Sequence, residues 1–137
     1  MNISAIRSAL AESVASVTPE LNTYGYVPDS VAVPCFYVGG VEIDYDVTMG
    51  RGSDELSVTC VVLVSANSDA SGQEQLDAYL NGSGASSLKA AIEADETLGG
   101  ECFTLAVSRA QGYGFHKVGT TDYLGAELVV NITGDGS

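Results

Sequence analysis

The chain has 137 residues, the size of one compact domain that buries roughly two thirds of its unfolded surface. Its 45% apolar content argues against wholesale disorder, and no apolar run approaches the ~20 residues that a membrane helix needs. Eighteen acids against five bases leave a net charge of −13, which argues against holding nucleic-acid phosphates and disfavours anionic membranes.

Met1 to Arg7 shows no basic start followed by an apolar block and an Ala-x-Ala cleavage site, so the expected place of synthesis is the cytosol. Residues 3–17 carry Ile3, Ile6, Leu10, Val14 and Val17 at helical spacing, filled in by Ala5, Ala9 and Ala15. Asn2 can cap this helix, and Thr18-Pro19 closes it, because the residue before a proline is pushed out of the helical region. Residues 21–26 predict a short strand and 27–30 a turn. Residues 31–38 contain Pro34, which cannot donate to a ladder and so favours an edge or the start of a strand. Gly39-Gly40 predicts a turn or bulge.

The most strongly patterned stretch is 40–65, read as a hairpin. Val41, Ile43, Tyr45 and Val47 alternate with Glu42, Asp44, Asp46 and Thr48, the period of two of a half-exposed strand. In the second arm Leu56, Val58, Cys60, Val62 and Val64 share one face. The other face starts polar at Ser57 and Thr59 and turns apolar at Val61 and Leu63, so the arm should end buried on both sides. Ser71-Gly-Gln-Glu74 has the spacing of a capping box, followed by Leu76, Tyr79 and Leu80; Asn81-Gly-Ser-Gly84 stops that helix. A second short helix over 86–95 places Leu88, Ala91 and Ile92 on one side. Lys89 is the one base of this pair, which argues against a DNA-reading role. Residues 102–109 alternate, with Phe103, Leu105 and Val107 facing one way. Residues 111–120 predict a glycine-rich connection or small hairpin. The last strand, 123–132, sets Leu124, Ala126, Leu128, Val130 and Ile132 against Tyr123, Glu127 and Asn131, and residues 134–137 should form a flexible tail. The element order predicts one α+β domain over 1–137: a single, mostly antiparallel sheet covered by an N-terminal helix and a pair of short helices, with a protruding β-hairpin.

No catalytic constellation emerges. Glu42, Asp44 and Asp46 stand ~7 Å apart along one face, but calcium sites draw their ligands from tight loops, so a solvated or interface face explains the row better than a metal. Cys35, Cys60 and Cys102, without a Cys-x-x-Cys and with one histidine in the chain, read as reduced, buried thiols rather than zinc ligands. His116 falls in the glycine-rich connection with no evident nucleophile beside it. No catalytic residue, cofactor or metal is expected.

Several segments together resemble tail terminator proteins of long-tailed (siphovirus-type) phages of actinobacteria. They are the N-terminal helix, Ile-Asp-Tyr-Asp-x-Thr-Met-Gly-Arg-Gly-Ser-Asp at 43–54, Leu-Asp-Ala-Tyr-Leu at 76–80, Ser-Leu-Lys-Ala-Ala-Ile-Glu-Ala-Asp-Glu-Thr-Leu-Gly-Gly at 87–100 and Asp-Tyr-Leu-Gly-Ala-Glu at 122–127. The resemblance spans nearly the whole chain in order, and none of its pieces marks an active residue. It implies a small α+β subunit of a hexameric ring in the virion neck. That ring would cap the tail tube, end its polymerisation and join the tail to a head-side connector protein. Its partners would be copies of itself, the tail tube protein and that connector, with DNA passing through the lumen unbound and no membrane involved. In such a ring the stretch 42–55 would contact other subunits or the tube, with Asp44, Asp46, Met49, Arg51, Asp54 and Glu55 as its candidate residues and Arg51 at the hairpin tip meeting an acidic partner, while Glu42, Asp44 and Asp46 would form an acidic lumen or solvent face. Two other readings compete: a head-to-tail connector or stopper ring, and a small ligand-binding domain or enzyme using Glu42, Asp44, Asp46 and His116.

Overall fold

A computed structural model describes residues 3–17, 21–25, 34–45, 54–64, 69–82, 87–94, 97–100, 102–118 and 121–134. In chain order the elements are α1 (Ile3–Val17), β1 (Asn22–Tyr24), β2 (Cys35–Asp44), β3 (Asp54–Val64), α2 (Asp69–Leu80), α3 (Leu88–Glu93), β4 (Thr104–Val118) and β5 (Thr121–Gly134). The five strands make one open sheet in the order β1-β2-β3-β5-β4. β1 runs parallel to β2 and every other pairing is antiparallel, so the fold is the α+β class that the periodicities predict.

Alternation decides which face each strand residue buries. Leu56, Val58, Cys60, Val62 and Val64 of β3 lie beside Leu124, Ala126, Leu128, Val130 and Ile132 of β5, and all ten are buried. The three helices cover this face. Ile6, Leu10 and Val14 of α1, Leu76 and Tyr79 of α2, and Leu88 and Ile92 of α3 complete one apolar cluster. The opposite face carries no helix among the described residues. Its buried patch is small: Cys35, Val61 and Leu63, flanked by Tyr24, Tyr37 and Tyr123. The second arm of the hairpin thus ends buried on both sides, as its pattern requires.

Pro34 stands just before β2, and its carbonyl accepts from Asn22 N–H at 3.0 Å, which ties down the start of β1. Gly39-Gly40 forms a bulge rather than a turn: the register of β2 against β3 shifts between Val38 and Val41, and the strand continues. At the start of α3, Ser87 Oγ accepts from Ala90 N–H at 3.2 Å and donates to the Asn81 carbonyl, joining the two short helices. Leu98 (φ 50°), Gly99 (φ 70°) and Gly100 (φ 96°) then turn through left-handed backbone. For Leu98 the left-handed conformation costs about 1–2 kcal/mol. Its side chain is buried in the core, worth a similar amount, and this holds the turn.

Four expectations change. The segment 111–118 is strand, not connection: β4 carries one bulge between Val107 and Arg109, which turns Arg109 to the helix-free face, and another between Gln111 and Gly114, where Gly112 and Gly114 have φ of 65° and 155°. α2 starts at Asp69, two residues before Ser71, so the box Ser71–Glu74 lies inside the helix and does not begin it. Phe103 shares the parity of Leu105 and Val107 but precedes β4 and is 58% exposed. Gly134 ends β5 and is buried instead of fraying. The expected caps at Asn2 and Thr18-Pro19 and the turn at 27–30 lie outside the described residues.

Candidate functional site

The acidic row comes from β2 beyond its bulge. Glu42 and Asp44 are exposed and point away from the helices, on the same face as Ser57 and Asn131. Asp44 lies directly opposite Glu55, and Glu42 opposite Ser57, whose hydroxyl donates to Asn131 Oδ1 at 3.1 Å. Two carboxylates facing each other across a ladder repel, a cost of about 0.2–1 kcal/mol. A position so arranged serves solvent or a cationic partner better than it serves the isolated subunit. Asp54, a candidate contact residue, does not present an exposed carboxylate. It faces the helix side, opposite Gly134, and is only 7% exposed, while its neighbour Glu55 remains half-buried on the open face. Asp46, Met49 and Arg51 lie outside the described residues. Among those described, no three of the metal-ligating residue types converge.

β4 adds residues that the sequence pattern did not single out. Its position in the sheet order makes it an edge, and Arg109 and Lys117 on it are exposed. Of the four large apolar side chains exposed among the described residues, Tyr113 (50%) and Phe115 (74%) lie on β4 and Phe103 stands just before it. The fourth, Tyr45 (65%), follows β2. β2 is itself open along its outer side beyond Tyr37, since β1 pairs only with Cys35, Phe36 and Tyr37 among the described residues. The signal that could have found this edge is the alternation in 104–118 once one bulge is allowed between Val107 and Arg109 and another at Gly112 and Gly114.

His116 belongs to β4 rather than to a loop. Its Nε2 lies 2.7 Å from the Gly112 carbonyl, so this nitrogen must carry the proton and donate. On the same helix-free face Gln111 reaches Glu127 Oε1 at 3.5 Å. Tyr37 is pushed above its ordinary value by burial first, then by the charges of Cys35 and Glu127. The competing pocket of Glu42, Asp44 and His116 does not form. His116 pairs with Tyr123 and Glu42 lies in the row of Asn131, eight residues further along β5 or about 27 Å. Nor do Cys35 and Cys60 supply a nucleophile. Burial pushes Cys35 up to about 11, partly offset by the Leu63 backbone hydrogen bond, and Cys60 up to about 12, so both are neutral at physiological pH.

The arrangement can repel anions on one face, bind side to side at two open edges and bury aromatic rings at those edges. No family model matches the chain, and no curated protein matches it either.

Proposed function

We propose that the chain is a structural, non-catalytic subunit of a phage virion: a tail terminator that forms a hexameric ring, caps the tail tube and joins the tail to the head while DNA passes through its lumen. The observation that carries this reading is the one-sided construction of the sheet. All three helices cover one face, while the other presents Glu42, Asp44, Glu55 and Glu127 between two open edges. A ring wall needs sticky sides and a lumen that denies phosphates a binding site, and a carboxylate surface does the latter within about 8 Å at physiological salt. The resemblance to tail terminators supports the same reading. Its segments fall on Leu76 and Tyr79 under the sheet, on the Ser87 cap, on the left-handed turn at Leu98 and on Gly125 in the middle of β5.

Disrupting the gene in the phage that encodes it is expected to give tails of uncontrolled length that do not join heads. A virion reconstruction should then show the protein's density touching the tail tube directly. Contact with the head side alone would transfer the protein to the connector ring, and its absence from virions would refute both.

A further inference from the structure

The sheet ends in two edges of opposite charge. Arg109 and Lys117 are two of the chain's five bases, and both stand on β4. The outer side of β2 beyond β1 carries Glu42 and Asp44. Neither Arg109 nor Lys117 forms an ion pair among the described residues. The four exposed large apolar side chains lie at these same two edges. Natural sheets blunt their edges with charge and bulges, and β4 has both. Charge of one sign at one edge, matched by the other sign at the opposite edge, does more than blunt.

We propose that copies of this chain join head to tail, the β4 edge of one against the outer β2 edge of the next, with Arg109 meeting Glu42 across the seam and Asp44 extending the acidic row beside it. Like edges do not fit. Two β4 edges would bring Arg109 and Lys117 against their own kind, and two β2 edges would oppose carboxylates. Only the unlike pairing is attractive, and a contact between unlike patches is the kind that closes into rings. The strand directions agree. β2 is antiparallel to β3, β3 to β5 and β5 to β4, so β4 runs opposite to β2 and a continued sheet would be antiparallel at the seam.

The register agrees as well. Arg109 lies in the row of Val129 and Glu42 in that of Asn131, two residues apart on the same helix-free face. Without any stagger between copies, the two are therefore diagonal neighbours about 7 Å apart, within reach of an arginine. The seam is not a full ladder, because Glu93 Oε2 already accepts from Val107 N–H at 2.9 Å. Side chains on the open face around Arg109 make the contact, since from Gln111 onward β4 lies in the rows that β1 covers on the neighbouring copy. This seam deepens the ring reading proposed above, and rests on it only for the number of copies.

The test uses the full chain and its Arg109→Glu and Glu42→Arg/Asp44→Arg variants, followed by native mass spectrometry and sedimentation. All three changes are on exposed side chains, so circular dichroism and melting should stay those of the parent. The parent is expected to self-associate, and each variant alone to do so about tenfold more weakly or less. An equimolar mixture of the two variants, or one chain carrying all three changes, should recover association. A parent that stays monomeric, or variants that associate as well as the parent, would overturn the seam. Association that ignores these charges but still yields six copies would leave the ring reading standing with its seam elsewhere. Rescue by charge exchange in a protein absent from virions would keep the seam and remove the ring's proposed place.

Discussion

A Cβ built on Gly125 would stand 2.5 Å from Leu63 Cδ2 and 2.5 Å from the Val62 carbonyl oxygen, and the second is backbone of the central strand that cannot step aside. His116 Cδ2 closes the site from the neighbouring strand at 3.3 Å. The residue is thus fixed by close approach and not by its dihedrals. Gly125→Ala is expected to cost about 1–3 kcal/mol, the range for forcing atoms into packed space, read as a lower urea midpoint with an unchanged slope. An alanine variant as stable as the parent would mean that β3 and β5 separate more easily than their buried rows indicate. Nothing in the sequence marks this glycine apart from the turn glycines, since the pattern 124–132 reads through it as an ordinary polar-side position. Asp54 escaped for a related reason: the alternation of β3 puts it on the core face, but an acid at a strand start reads as solvent.

At the scale of elements, α3 is held to the sheet edge by Glu93. One carboxylate oxygen takes Lys89 Nζ one turn back, and the other takes the Val107 amide of β4. The hydrogen bond from Lys89, then the Val107 amide and the Lys89 charge, hold the Glu93 carboxyl below its ordinary 4.5 despite partial burial. A carboxylate with a depressed native value stabilises the fold above its unfolded value and loses that contribution as pH falls through the native one. Glu93→Gln is therefore expected to cost about 1 kcal/mol near neutrality. The gap between parent and variant should close as pH drops below 4.5 in urea titrations. A gap that stays constant into acid would assign the loss to packing, not to the carboxylate charge. The helical stripe of α1, both arms of the hairpin at 40–65 and the last strand were legible because each has a buried face with an unbroken period. β4 was not, since Gly112 and Gly114 carry the same signal whether they turn the chain or bulge a strand. The candidate site was legible in its acidic half, Glu42 and Asp44, and illegible in its basic half, because Arg109 becomes an edge residue only through the strand order.

For the whole molecule, salt should act in opposite directions on the two properties that the charge distribution controls. A net charge of −13, with Asp44 facing Glu55, makes each copy repel itself. Screening that repulsion should raise the melting temperature of a single copy, conveniently measured on the Arg109→Glu variant, as sodium chloride is raised. The seam between copies depends on attraction between exposed charges, so the same salt should weaken it. The Debye length shrinks from ~10 Å at 0.1 M to ~3 Å at 1 M, shorter than the diagonal from Arg109 to Glu42. Fold and assembly thus respond to one titration with opposite signs, which no general effect of salt on solubility reproduces. Apolar contact predicts the reverse for assembly, because burying Phe103, Tyr113, Phe115 and Tyr45 against a neighbour is not weakened by screening. Parallel melting and sedimentation series across that range separate the two. Association that falls while the melting temperature climbs supports the charged seam. Association that strengthens with salt would mean that the aromatic rings at the edges, and not Arg109, carry the contact.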